Sequence, residues 1–141
     1  NALVDHLLER ATLVTPNRFE AERLADMRIT SVGTMEEAAR AIRDLGPRAV
    51  LVKGGHLRGP IVDGLFDGRR MHHLRGARVR KDLHGAGCTL AASAAAYLAR
   101  GQPLAKAVDS ARRKVALGFR TSYRAGRGVE IINSHACASF D

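Results

Sequence analysis

The stretch Leu83-His-Gly-Ala-Gly-Cys-Thr-Leu90 carries the residues that are best suited to chemistry in this chain. Gly85 and Gly87 come just before an alanine-rich helical pattern, so the first N–H groups of that helix are free to point at an anion. Small residues let an anionic group approach the backbone, and the helix dipole favours negative charge there. The stretch is not a Walker A motif, because the required lysine and spacing do not occur. A glycine turn needed only for chain geometry is the alternative interpretation.

Cys88 gives the same stretch a possible reactive group. It lies at or near the first turn of the predicted helix, where the thiolate form of cysteine is favoured. A buried structural cysteine is the alternative. A zinc site is not expected, because the nearby candidate ligands lack the paired spacing of structural zinc sites; these are His72, His73, His84 and Cys88.

The elements that must position these residues alternate between helices and apolar strands. Ala11–Thr15 is predicted as a short buried strand, and Glu20–Asp26 as a short helix. Thr34, with Glu37 three residues later, predicts a capping box at the start of the next helix. The apolar face of that helix consists of Ala38, Ala41, Ile42 and Leu45. Ala49–Val52 is a continuous apolar run, as in a strand that is buried on both faces of a parallel sheet.

The second half of the sequence predicts a hairpin and two helices. Ile61–Phe66 and Arg69–Leu74 are expected as strands joined by a tight turn at Asp67-Gly68, with a further short strand around Val79. One helix should start at Cys88 and end before Gly101, which is expected at the C′ position, and another should open near Pro103. The tail from Gly126 is expected to be irregular. The predicted fold class is therefore α/β, with a mostly parallel sheet, flanking helices and a β-hairpin at one edge.

Charge and composition limit the function. The net charge is +9, with basic residues in nearly every segment and dense clusters at Arg69–Arg70 and Arg78–Lys81. No aromatic residues interleave these clusters, so nucleic-acid binding is not the expected function. The same field attracts a polyanionic small molecule such as ATP. No apolar run approaches the roughly 20 residues of a membrane span, and two cysteines without a signal-peptide pattern favour the cytoplasm.

Several motifs resemble, in the same order, those of the ribokinase superfamily, and most of all those of the hydroxymethylpyrimidine kinases. In these kinases the glycine turn is commonly His-Gly-Thr-Gly-Cys-Thr. Here it is His84-Gly-Ala-Gly-Cys-Thr89, and Ala86 in place of threonine removes a hydroxyl but keeps every backbone amide. The other similar stretches are Thr15–Glu22, Val50–His56, Asp63–Gly68 and Ala105–Val108. The resemblance covers the chain from about Ala11 to Gly128.

The resemblance implies a role for each matching residue. The amides of Gly85, Ala86 and Gly87 would form an anion hole, and Cys88 would take the proton from the attacking hydroxyl. Residues implied to bind the nucleotide are Lys53, Gly55, His84 and Val108, with Asn17 and Glu20 organising Mg²⁺ through water. The residues alone also allow a simpler interpretation of two of these positions. Glu20 would then be an ordinary carboxylate at the start of a helix, and Lys53 would be a solvated lysine at the end of a strand.

The resemblance further implies that residues 1–141 are the C-terminal, ATP-binding part of a single ribokinase-like kinase domain whose N-terminal half is absent. The implied activity is ATP-dependent phosphorylation of 4-amino-5-hydroxymethyl-2-methylpyrimidine and/or its monophosphate in thiamine biosynthesis, by a cytoplasmic homodimer. A pyridoxal-type kinase, which usually carries Asp at the position of Cys88, and a non-catalytic nucleotide-binding domain stay open as alternatives. Since family members are roughly twice this length, we expect a longer natural protein or a second chain that completes the fold.

Overall fold

A computed structural model of the chain describes residue 2 and residues 6–54, 61–76 and 83–137. The chain divides into two compact units, Asn1–Arg78 and Val79–Asp141. That both belong to one kinase domain stays a prediction. The strand expected around Val79 and the basic cluster Arg78–Lys81 lie outside the described residues.

The first unit contains two helices, α1 (Arg18–Ala25) and α2 (Val32–Asp44). The predicted start of α2 is wrong by three residues: its N-cap is Ser31, and Thr34 occupies the third helical position. The Ser31 hydroxyl accepts the Thr34 N–H at 3.2 Å, and the Thr34 hydroxyl accepts the Ser31 N–H at 3.0 Å. Both residue types can cap a helix, so the sequence pattern alone does not distinguish the two starts. Met35 is among the buried residues of α2.

The core of the first unit lies between these helices and β1 (Val50–Val52), all of which is buried, as its apolar run predicts. Residues 11–17 run parallel to β1. Val14 N donates to Ala49 O at 3.1 Å, and Leu51 N donates to Val14 O at 2.8 Å. Between these two segments the chain crosses over through α1 and α2, because two parallel strands need a connection that returns the chain to the same end of the sheet.

The hairpin consists of β2 (Ile61–Phe66) and β3 (Met71–Gly76), in the sheet order β1-β2-β3. The β1–β2 and β2–β3 pairings are both antiparallel. Within the described residues, the expected parallel pairing therefore occurs only on the side of β1 that faces residues 11–17. β3 lies at the edge, as predicted, but it begins two residues later than expected. Asp67 causes this difference, since its Oδ1 accepts the N–H groups of Arg69 and Arg70 at 2.8 and 2.7 Å and holds residues 67–70 as a loop.

The second unit is built on two helices that pack against each other, α3 (Ala86–Ala99) and α4 (Leu104–Arg120). Their buried positions include Ala94, Ala107 and Ala111, whose small side chains allow the close packing that the sequence predicts. Gly101 ends α3 with a φ of 79°, and its N–H donates to Leu98 O at 2.9 Å. It is therefore the glycine that follows the helix C-cap, as expected.

The tail is more ordered than predicted. Tyr123–Arg124 (β4) and Glu130–Ile131 (β5) form a short antiparallel pair, and a 3₁₀ turn follows at His135–Cys137. β5 also pairs with His84, so it supports the glycine turn that precedes α3. Among the helices that the structure describes, none combines the length and the apolarity needed to cross a bilayer.

Candidate active site

Asn17 and Glu20 form a capping box at the start of α1. The Asn17 Oδ1 accepts the Glu20 N–H at 3.0 Å, and the Glu20 Oε2 accepts the Asn17 N–H at 2.7 Å. Each side chain therefore satisfies a backbone donor that the helix leaves unpaired. Both residues have a structural role in this position, whatever they contribute to metal binding.

Glu22 fixes the other end of α1. Its Oε1 accepts the Ile29 N–H at 2.9 Å and the Arg18 Nε–H at 3.1 Å. The hydrogen bond from Ile29, followed by the contact with Arg18, lowers the pKa of Glu22 below its usual value. Through its hydrogen bond from Ile29, the Glu22 carboxylate links α1 to the segment that leads into α2.

Lys53 lies beside Asn17 at the end of the parallel pairing. The two residues form a parallel bridge, and Lys53 N donates to Pro16 O at 3.0 Å. The Lys53 side chain is partly exposed, and within the described residues it has no ion-pair partner. The structure thus brings Asn17, Glu20 and Lys53 to the same end of the first unit. Gly55 lies outside the described residues.

The glycine turn of the second unit has the conformation that the sequence predicts. Gly85 is the N-cap of α3, with a left-handed φ of 90°, and the first helical bond runs from Thr89 N to Gly85 O at 2.9 Å. The N–H groups of Ala86, Gly87 and Cys88 consequently have no acceptor within the helix. Among the described residues, no side-chain cap is formed at this end of α3. These amides are available to an anion.

A second segment holds the glycine turn in place. His84 N donates to Glu130 O at 3.1 Å, and His84 O accepts the Ile132 N–H at 3.1 Å. A Cβ added at Gly85 would lie 3.2 Å from Ile132 Cγ2, closer than ordinary van der Waals contact. The His84 side chain itself is exposed.

Cys88 and Val108 occupy different environments in the second unit. Cys88 is a free, exposed cysteine in the first turn of α3, so the alternative of a buried structural cysteine is wrong. Val108 is fully buried in α4. Its side chain belongs to the packing of its own unit, and a contact of Val108 with adenine stays a prediction.

Two residues near these groups were not singled out from the sequence. Asp63 is a buried carboxylate whose Oδ1 accepts the Gly54 N–H at 2.9 Å, next to Lys53. Ile132 packs against Gly85. A charged residue within the apolar stretch Ile61–Phe66 is a signal that could have identified Asp63. No sequence signal could have identified Ile132.

The fold is part of the α/β fold of small-molecule kinases of the ribokinase type. The structure superposes on pyridoxal kinase from Staphylococcus aureus in complex with AMP-PCP with a TM-score of 0.90 and 36% identity, covering 96% of this chain and 50% of that chain.

The match to the phosphomethylpyrimidine kinase family extends over residues 1–133, and the chain belongs to that family. It is 45% identical over 129 residues to the hydroxymethylpyrimidine/phosphomethylpyrimidine kinase of Synechococcus elongatus, which covers 89% of this chain and 49% of the relative. It is 44% identical over 143 residues to the thiamine biosynthesis bifunctional protein ThiED of Geobacter sulfurreducens, covering 100% of this chain and 29% of the relative. The chain thus spans about half the length, or less, of these relatives.

Proposed function

We propose that this chain supplies the phosphate-donor part of a kinase that transfers the γ-phosphoryl group of ATP to 4-amino-5-hydroxymethyl-2-methylpyrimidine and/or its monophosphate. Family membership and the relatives named above support this reaction. The structural observation that carries the proposal is the left-handed Gly85 at the start of α3, where amides without an acceptor inside the helix lie next to the exposed Cys88. An ATP-dependent kinase needs such donors where negative charge develops.

Positive charge and backbone amides would act on the phosphates. The N–H groups of Gly85, Ala86, Gly87 and Cys88 would stabilise charge on the transferring group, and Lys53 would add a point charge. Gly55 and the exposed His84 are proposed as further nucleotide contacts on the resemblance alone. The net charge of +9 favours the approach of a polyanion.

Asn17 and Glu20 fit a magnesium ion that is bound through water. One carboxylate oxygen of Glu20 is committed to the Asn17 N–H, but the Glu20 side chain is exposed. No group of three or more metal-ligating side chains occurs among the described residues, and water-mediated contact needs no such group. Mg²⁺, when bound, would neutralise charge on the phosphates.

Cys88 is proposed as the base for the first phosphorylation. As a thiolate it would take the proton of the hydroxymethyl O–H while that oxygen forms a bond to the γ-phosphorus and ADP leaves. The second phosphorylation, onto a phosphate that is already ionised at neutral pH, would need no base. Cys88 should therefore matter much more for the first substrate than for the second.

The test is the formation of ADP by the natural full-length protein on addition of each pyrimidine. Cys88→Ala should lower kcat for the hydroxymethyl compound about 100-fold and leave ATP affinity within about twofold. The matched control Cys137→Ala should behave like wild type. Gly87→Val should lower both ATP affinity and kcat, because a side chain in the first turn would block the approach of a phosphate. Unchanged turnover in Cys88→Ala would remove Cys88 from the role of base.

A pyridoxal-type kinase is the second candidate, and the superposition on S. aureus pyridoxal kinase favours it. A higher kcat/KM for pyridoxal than for the pyrimidine would establish it. ATP binding without substrate-dependent ADP formation would instead indicate a non-catalytic binding domain. A homodimeric complete protein and a cytoplasmic location stay predictions.

A further inference from the structure

Asp63 is a buried carboxylate that contacts the backbone next to Lys53. It lies in β2 with 8% of its surface exposed, and its Oδ1 accepts the Gly54 N–H at 2.9 Å across nine residues of chain. A buried carboxylate is costly unless it is hydrogen-bonded. An acidic residue within an apolar strand therefore indicates a role that an apolar residue could not fill.

The sheet register explains how this contact forms. Val52 pairs with Gly64, so Asp63 comes next along β2 as Lys53 comes next along β1. A Cβ added at Gly54 would overlap the carbonyl oxygen of Val62. Only glycine lets the backbone approach β2 closely enough for the Asp63 contact.

The backbone of Lys53 and Gly54 is held on both sides. On one side, Lys53 N donates to Pro16 O at 3.0 Å, next to the bridge with Asn17. On the other side, Gly54 N donates to the Asp63 carboxylate. A hydrogen bond to a charged acceptor is stronger than a neutral one, and its loss would leave the Gly54 N–H unsatisfied in a buried position.

We propose that Asp63 is a positioning residue that fixes the Gly54 peptide and thereby orients Lys53 toward the phosphates of ATP. The proposal rests on the role of Lys53 in the proposed function. Asp63 would act through its contact with the Gly54 N–H. Small displacements of a phosphate-binding group have large effects on transfer, so the orientation of Lys53 is sensitive to this contact.

The experiment compares Asp63→Asn and Asp63→Leu in the natural full-length protein. Asn keeps an oxygen acceptor for the Gly54 N–H, whereas Leu has the same branching and number of heavy atoms but no acceptor. Asp63→Leu should raise the KM for ATP about tenfold and change the KM for the pyrimidine less than about twofold. Asp63→Asn should stay within about threefold of wild type for both substrates.

Two further measurements show whether the effect passes through Lys53. Lys53→Ala should also raise the KM for ATP, and the double variant with Asp63→Leu should be no worse than Lys53→Ala alone. Leu65→Ala, a fully buried position two residues along β2, is the control for lost stability. It should lower Tm with the KM for ATP within about twofold of wild type. Additive effects of Asp63→Leu and Lys53→Ala, or an equal rise in both KM values, would overturn the proposal.

The failure of this proposal is distinguishable from failure of the proposed function. Absence of substrate-dependent ADP formation in wild type would refute the kinase reaction alone. For Asp63, amide exchange at Gly54 in wild type reports the hydrogen bond without any turnover. Protection of about 100-fold or more is expected, and its absence would refute the role of Asp63 even if Asp63→Leu did not fold.

Discussion

Asn17 and Glu20 cap the start of α1 reciprocally, each side chain accepting the backbone N–H of the other, at 3.0 and 2.7 Å. The same two residues are those that the family resemblance assigns to magnesium. A helix cap and a metal contact make different demands on the Glu20 side chain. The cap needs an oxygen acceptor, whereas a magnesium contact through water also uses the negative charge.

Substitutions at Glu20 should separate these two roles. Glu20→Gln keeps the acceptor, so the free energy of unfolding should change by less than about 0.5 kcal/mol, while Glu20→Ala should lose about 1 kcal/mol. The magnesium concentration for half-maximal turnover should rise about tenfold in both variants. Urea denaturation and a magnesium titration measure the two effects. If Glu20→Gln leaves the magnesium titration unchanged, Glu20 only caps the helix.

Gly54 should tolerate no side chain. Gly54→Ala would place a Cβ against the Val62 carbonyl oxygen, and neither backbone can yield without breaking the β1–β2 pairing. The free energy of unfolding should fall by about 3 kcal/mol or more. Gly33→Ala is the control, because the nearest atom to its new Cβ is Ser31 Oγ at 3.7 Å. That variant should be as stable as wild type or more stable by about 0.5 kcal/mol, as measured by urea denaturation. Equal stability of Gly54→Ala and wild type would contradict the close approach.

Gly85 and Gly101 provide a matched pair at the two ends of α3, both with left-handed φ values of 90° and 79°. Alanine at either position should cost about 1 kcal/mol of stability for the backbone conformation. Only the new Cβ of Gly85→Ala would come close to Ile132, at 3.2 Å from its Cγ2. A Cβ at Gly101 would have no atom of the described, non-adjacent residues within 4 Å. Turnover should therefore fall about tenfold or more in Gly85→Ala and stay close to wild type in Gly101→Ala. Equal turnover in the two variants would show that the geometry of the glycine turn does not limit the reaction.

Structural features that depend on a few neighbouring residues could be predicted from the sequence. The apolar run ending at Val52 predicted a buried strand, and the glycines before Cys88 predicted its position in the first turn of α3. The start of α2 was mispredicted because Ser31 and Thr34 can each cap a helix, and in the structure Ser31 is the N-cap with Thr34 as its capping-box partner.

Contacts between distant segments could not be predicted in the same way. The hydrogen bond from Gly54 to Asp63 depends on the register of β1 and β2, which no local pattern specifies. The packing of Ile132 on Gly85 joins positions that are far apart in the chain. The resemblance implied which residues would act on ATP, but it gave no information on Asp63 or Ile132, which contact the segments that carry them.

Asp67 should make the edge hairpin sensitive to acid. The hydrogen bond from His72 Nε2, at 2.7 Å, followed by that from the Arg70 N–H, lowers the pKa of Asp67 from 3.8 to about 2. Because the folded pKa lies below the usual value, this stabilisation is present above about pH 4 and is lost as the pH falls toward 2. The Asp67 side chain is 29% exposed, so solvent screening reduces its contribution to about 1 kcal/mol.

Asp67→Asn tests this contribution, since it removes the titrating group and keeps an oxygen that can accept from the loop amides. At pH 7 the variant should be about 1 kcal/mol less stable than wild type, and the difference should shrink as the pH falls from 4 to 2. His72→Ala should give only part of this change, because the N–H groups of Arg69 and Arg70 still hold the carboxylate. Urea denaturation at a series of pH values measures all three proteins. A difference between wild type and Asp67→Asn that persists undiminished at pH 2 would show that the loop depends on the shape of this side chain and not on its charge.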